Sequence, residues 1–217
     1  MSPKDQLRPA LHAVEPLTTI ETLHEQIRTC RLCVADGFPI SPPPLVFGEA
    51  PAPFMLIGQA PGISDLRGGR MYLGPAARKL IGWLKEAGFQ DSDIGTTLYM
   101  TALTKCFPGR LPGKSTDRAP SAKECANCRP WLRAQLELVK PQVLILFGKM
   151  AIDLYLKGKP LTSTIGRVFH AGDLIILPLP HSSGASTWLN HEENRALVTE
   201  AIAQLSQIRS QVLENAR

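Results

Sequence analysis

"LIGQAPGISDLRGGRMYLGPAARKLIGWL" (residues 56–84) runs from an apolar, strand-like stretch through a glycine-studded loop into apolar residues at helical spacing. Strand, loop and helix in that order begin a β-α-β unit. The alternation continues along the chain. "FMLIG" (54–58), "TLYMTAL" (97–103), "VLILFG" (143–148) and "LIILPLP" (174–180) read as buried strands. Between and after them, "PAARKLIGWLKEAGF" (75–89), "AKECANCRPWLRAQLELV" (122–139), "KMAIDLYL" (149–156) and "NRALVTEAIAQLSQIRSQVLENA" (194–216) read as helices. Strands apolar on both faces, separated by helices, predict a central four-stranded parallel sheet covered on both sides, an α/β fold. Such sheets bind ligands beyond the carboxyl ends of their strands. The loop after the first strand and "PHSSG" (180–184) after the fourth both leave at that edge.

A chain of 217 residues fits one domain, 1–217, whose opening 17 residues lack periodicity and are expected to be loose. No apolar run reaches the ~18 residues of a membrane helix. The opening "MSPKDQLRPALHAVEP" has no apolar signal core, so a cytoplasmic location without membrane contact is expected. The excess of 24 Lys and Arg over 19 Asp and Glu permits a polyanionic partner without requiring one.

Two phosphate-binding readings fail on spacing. "GQAPG" (58–62) lacks the G-x-G-x-x-G order of a dinucleotide site, and no acidic residue closes a second strand at the expected distance. "GRLPGKS" (109–115) places three residues between its glycines where a P-loop needs four, and it runs into "TDRAPS" rather than a helix. A basic loop carrying Arg110, Lys114 and Arg118 is the better description, with phosphate contact and plain solvation both open.

Five cysteines make an odd set for a disulfide framework. "CRLC" (30–33) and "CANC" (125–128) are C-x2-C pairs, and Cys106 stands alone. Cys30, Cys33, Cys125 and Cys128 would suit zinc. Cys30, Cys33, Cys106 and one of the second pair would suit an iron–sulfur cluster. Spacing alone does not choose the metal.

The order of motifs resembles the iron–sulfur uracil-DNA glycosylases, family 4 and its relatives. "LVFGEAPAP" (45–53) resembles that family's lead-in, and "GQAPG…GRMYLG" (58–74) its "GEAPG…GRPFVG". "YMTALTKC" (99–106) resembles "Y-x-T-N-x-x-K-C", and "CRPWLRAQLELVKPQVLILFG" (128–148) resembles "C-x-P-x-L-x-x-Q-I" followed by "P-x-x-I-x-x-x-G". "PHSSG" corresponds to a strand ending in "HPS". The similarity covers nearly the whole chain from Cys30 onward. It implies a three-layer α/β/α sandwich and a monomeric DNA-repair hydrolase that excises uracil, or another deaminated base, from a flipped nucleotide. It also implies a [4Fe–4S] cluster on Cys30, Cys33, Cys106 and Cys128, leaving Cys125 spare.

Carried across by motif, Tyr72 takes the position of the stacking phenylalanine, and His181 that of the histidine facing the base carbonyl. Gly58, Ala60, Pro61, Gly62, Ser182 and Ser183 join them around the substrate. Gln59 replaces the family's glutamate; an amide orients a water but does not deprotonate it, so Asp65 in the same loop is a second candidate for the water. Ala102 replaces the asparagine that reads the base edge, so another group reads the base, the pocket is less selective, or the substrate is not uracil. Trp188 and Leu189 are candidates for a wedge in the duplex. A damaged-base or abasic-site binding protein without efficient catalysis is the alternative that Gln59 and Ala102 keep open. Covalent attachment of DNA through His181 and a zinc hydrolase stand further off.

Overall fold

A computed structural model describes residues 19–114, 116–182 and 187–215. Strands β1 (Phe54–Gly58), β2 (Leu98–Ala102), β3 (Val143–Phe147), β4 (Phe169–Ala171) and β5 (Leu174–Leu179) form one sheet in the order β2-β1-β3-β5-β4. β1, β2 and β3 are buried along their whole length, which is why they read as unbroken apolar runs. The parallel registers pair Phe54 with Leu98 and Val143, and Val143 with Ile175.

The sheet has five strands, not the four expected. β4 pairs antiparallel with β5 across a turn at Gly172, whose φ is 64°. Three residues of mixed exposure carry no readable alternation, so nothing in "FHA" marks a strand.

The helices are α1 (Ile20–Thr29), α2 (Leu32–Ala35), α3 (Ile63–Gly68), α4 (Pro75–Glu86), α5 (Ala122–Val139), α6 (Lys149–Ile152) and α7 (Glu192–Glu214). α1 packs against α5 and α4 against α7, giving the two helical layers of the sandwich. One apolar cluster runs from Ile20 on α1 through the strands to Val212 on α7. The helix expected over 149–156 stops after one turn. No helix among the described residues is long and apolar enough to cross a membrane.

A buried polar chain ties the cysteine-bearing segments to the sheet. Gln135 Nε2 donates to Tyr99 Oη (2.7 Å), and Thr101 Oγ1 donates to Gln135 Oε1 (3.0 Å). Lys105 Nζ donates to Thr101 Oγ1 (2.8 Å) and to the Ala102 carbonyl (2.5 Å). Burial, assisted by Arg28, lowers the His24 pKa to about 4, which favours the neutral imidazole, and its Nε2 shares a hydrogen bond with Tyr99 Oη at 2.7 Å. The chain joins α1, β2, α5 and the approach to Cys106.

Ser121 caps α5, accepting from the Glu124 N–H, while Glu124 Oε2 accepts from the Ser121 N–H in a capping box. Arg118 grips the same carboxylate with two N–H groups at 2.8 and 2.5 Å. Burial alone would raise the Glu124 pKa, but Arg118 and Ser121 outweigh it and hold it at about 2. The folded-state value lies below the usual 4.5. The contribution is therefore complete above pH 4.5 and is lost as pH falls towards 2. It should amount to about 3 kcal/mol. Glu124→Gln is expected to lower stability at pH 7 and to flatten the loss between pH 4.5 and 2. Melting curves across that range check it, and an unchanged acid limb would refute it.

Candidate active site

A cavity of about 700 Å³ opens at the carboxyl ends of β1, β3 and β5. Its position follows from the strand order. The chain leaves β1 towards β2 and leaves the neighbouring β3 towards β5 on the other side, so the two connections diverge and open a crevice.

The loop after β1 forms one wall. Gly58, Gln59, Ala60, Pro61 and Gly62 all line the cavity. The loop is held by Asp65, which lines the cavity but is 8% exposed. Its Oδ2 accepts from the Gly62 N–H (2.8 Å) and its Oδ1 from the Leu73 N–H (2.6 Å). Both carboxylate oxygens thus clamp the two ends of the 62–73 segment.

Tyr72 adopts a left-handed φ of 67°, rare for a bulky side chain. Its Oη donates to the Thr101 carbonyl at 2.5 Å. A Cβ on Gly58 would lie 2.7 Å from that hydroxyl, so the ring closes over Gly58 only because Gly58 has no side chain. Ala102, paired with Gly58 across β1 and β2, is 1% exposed and clusters with Leu45 and Met71, against which Phe47 and Tyr72 pack. It sits beneath the cavity floor rather than on the wall, and Met71 and Tyr72 present the surface above it.

His181 follows β5 and lines the opposite wall. Its ring stacks on Phe147 at 5.0 Å between centroids and 26° between planes. Burial lowers its pKa, which favours the neutral imidazole. Ser182 Oγ donates to the Ala76 carbonyl (2.6 Å), tying this segment to the first turn of α4. That turn begins at Gly74 with no side-chain cap, and Gly74 to Ala77 line the cavity. The positive end of the α4 dipole therefore faces the cavity. Ser183 lies outside the described residues. Trp188 and Leu189, the candidate wedges, pack partly buried against the main core.

Three charged lining side chains were missed by sequence reasoning: Lys79, Lys149 and Asp117. Lys149 directly follows the third predicted strand, so the strand-end rule applied to that strand would have found it. Asp117 belongs to an irregular loop with no periodicity, and only the tertiary fold brings it to the cavity.

The thiols of Cys30, Cys33, Cys106 and Cys128 lie outside the cavity lining. Burial pushes the Cys106 thiol up to about 12, with the Cys128, Cys30 and Cys33 thiols near enough to add to the effect. Burial likewise raises Cys128 to about 11. Two side-chain N–H groups point at sulfur: Trp131 Nε1 lies 3.4 Å from Cys30 Sγ and Asn127 Nδ2 3.6 Å from Cys33 Sγ. All five cysteines are free thiols. Among the described residues no three His, Cys, Asp or Glu side chains are grouped closely enough to hold one ion. A zinc site would bring its thiolates onto one centre at about 2.3 Å each. Four cysteine thiols are a donor set that serves a [4Fe–4S] cluster and a tetrahedral zinc ion alike, and N–H···S contacts accompany either.

Residues 45–206 match the family model of the uracil DNA glycosylase superfamily. The chain is 26% identical over 147 residues to the Type-4 uracil-DNA glycosylase of Thermotoga maritima, a match covering 67% of this chain and 70% of that protein. It is 30% identical over 129 residues to the Type-4 uracil-DNA glycosylase of Pyrobaculum aerophilum, covering 59% of this chain and 60% of the relative. The Type-5 uracil-DNA glycosylase of the same organism is 30% identical over 132 residues, covering 56% and 54%.

Proposed function

This chain belongs to the uracil DNA glycosylase superfamily, and from that premise we propose that it hydrolyses the N-glycosidic bond of uracil, or another deaminated base, in DNA. The observation that carries the reading is the convergence of Gln59, Tyr72 and His181 on one cavity beyond the strand ends. A base inside a duplex is out of reach, so the nucleotide must swing out into that cavity. Tyr72 supplies a flat surface, fixed by its hydroxyl, on which the base stacks. As the bond breaks, negative charge collects on the base and positive charge on the sugar. The neutral His181 N–H and the α4 amino terminus face the anion.

Gln59 holds the attacking water by hydrogen bonding. A dissociative cleavage makes little demand on a base, which an amide suits. Asp65, whose oxygens already receive two backbone N–H groups, serves the geometry of the loop. Gly58, Ala60, Pro61, Gly62 and Ser182 complete the pocket around the base.

Cys30, Cys33, Cys106 and Cys128 would hold a [4Fe–4S] cluster, with Cys125 outside the set. Glycosidic hydrolysis moves no electron, so the cluster's contribution is structural cross-linking of α1, α2, α5 and the segment after β2. The whole pocket comes from one chain, which suits a monomeric single-domain enzyme acting on cytoplasmic DNA.

Oligonucleotides carrying uracil, hypoxanthine or xanthine test the proposal. Alkali-sensitive cleavage at one of them is expected. Tight retention of the damaged DNA without cleavage would favour a damage-binding protein instead.

A further inference from the structure

We infer that Asp117 distinguishes uracil from cytosine and hypoxanthine from adenine, accepting a hydrogen bond from the ring N–H that deamination creates. The inference rests on the glycosylase reading and adds to it a specificity residue.

The floor of the cavity offers no amide to read a base. Ala102 is sealed beneath Met71 and Tyr72, and the Tyr72 hydroxyl already donates to the Thr101 carbonyl. Hydrogen bonds to the base edge must therefore come from the walls. Asp117 lies on the wall formed by the loop after β2, directly beside the loop after β1. A Cβ built on Gly62 would lie 3.3 Å from Asp117 Oδ2, so the carboxylate is packed against a residue at the heart of the pocket. Oδ2 accepts from the Ile63 N–H at 3.3 Å, which fixes the direction of the side chain. Oδ1 forms a long, solvent-exposed ion pair with Arg110 Nε at 3.9 Å, outside hydrogen-bonding range. Among the described residues no hydrogen bond to Oδ1 is made, so it has capacity for a donor from the ligand. Asp65, the other carboxylate near Gly62, has both oxygens occupied.

A carboxylate accepts hydrogen bonds and offers none. Cytosine N3 and adenine N1 are also acceptors, so each would meet Asp117 lone pair to lone pair. Deamination turns cytosine into uracil and adenine into hypoxanthine, and in both the same ring nitrogen becomes an N–H donor. One carboxylate thus recognises the change common to a pyrimidine and a purine, and the cavity of about 700 Å³ has room for either ring.

The test is single-turnover cleavage of uracil and hypoxanthine oligonucleotides by wild type, Asp117→Asn and Asp117→Ser. Affinity for DNA carrying a stable abasic analogue is measured alongside. Losing a hydrogen bond to a charged group should slow cleavage of both bases roughly 10- to 100-fold. Abasic-DNA affinity is expected to stay at the wild-type level, because it does not involve the base edge. Asp117→Asn keeps an acceptor for the Ile63 N–H and should melt with the wild type, whereas Asp117→Ser gives that contact up and should melt slightly lower. Cleavage at the wild-type rate in both variants would overturn the inference. So would a loss of abasic-DNA affinity in proportion to the loss of cleavage, which would make Asp117 a backbone contact. A wild type that cleaves neither base would sink the glycosylase reading itself, and the inference with it.

Discussion

His181→Ala should reduce the rate of base excision by about 10²–10³-fold, the loss typical of one preorganised donor to a developing anion. The imidazole is held by stacking on Phe147 and lies against Gly148, whose built Cβ would come within 3.3 Å of the ring. Its burial lowers its pKa, so near pH 7 the donor is the N–H of a neutral ring. Removing the side chain leaves the pocket floor and the Gln59 wall untouched, so DNA affinity should change far less than the rate. His181→Asn retains an N–H donor and should recover part of the activity. Single-turnover kinetics on the preferred base decide the matter. A variant as fast as wild type would mean that the base anion is stabilised elsewhere, with the α4 amino terminus the nearest candidate.

The second large effect is expected at the cysteines. Cys128→Ser should abolish iron binding and the visible absorbance that accompanies a cluster, with a fall in melting temperature of about 10 °C, equivalent to several kcal/mol in a domain of this size. The four thiols come from three parts of the sequence: Cys30 and Cys33 at the junction of α1 and α2, Cys106 after β2, and Cys128 on α5. α1 would remain docked through Leu23 and Ile27, both fully buried. α2 is only four residues long and packs on α5, so it has little else to anchor it. Cys125→Ser should retain full iron. Iron analysis, absorbance and thermal melts compare both variants with the wild type. Zinc in the wild-type protein, or iron surviving in Cys128→Ser but lost in Cys125→Ser, would reverse the ligand assignment.

Much of this architecture was legible because parallel strands buried on both faces must be apolar throughout, and the helices between them must be amphipathic. "FMLIG" and "VLILFG" can hardly be read otherwise. β4 escaped because three residues at a sheet edge bury too little to impose a pattern. The strand-end rule placed the loop carrying Gln59 and the segment carrying His181 at the ligand edge, and the family resemblance singled out the two residues. Ala102 was visible as a departure from the family pattern, but not its consequence. Only the packing shows that Met71 and Tyr72 cover it and that the Tyr72 hydroxyl is committed to Thr101.

Asp65 and Asp117 mark the limit of the sequence most clearly. Both are carboxylates in loops, and their chemistry is the same on paper. Asp65 lies three residues from Gly62 and eight from Leu73, and the loop turns back so that both N–H groups meet its oxygens. Asp117 lies 54 residues from Ile63 and meets it only because two separate loops leave the same edge of the sheet. The sequence by itself determined the four parallel strands, the helices that cover them and the edge at which the cavity opens, since burial periodicity and strand ends are local properties. Which polar atoms are spent on the loop and which still face the cavity was decided by the tertiary structure, because hydrogen bonding depends on distances that the chain sets only once it has closed on itself.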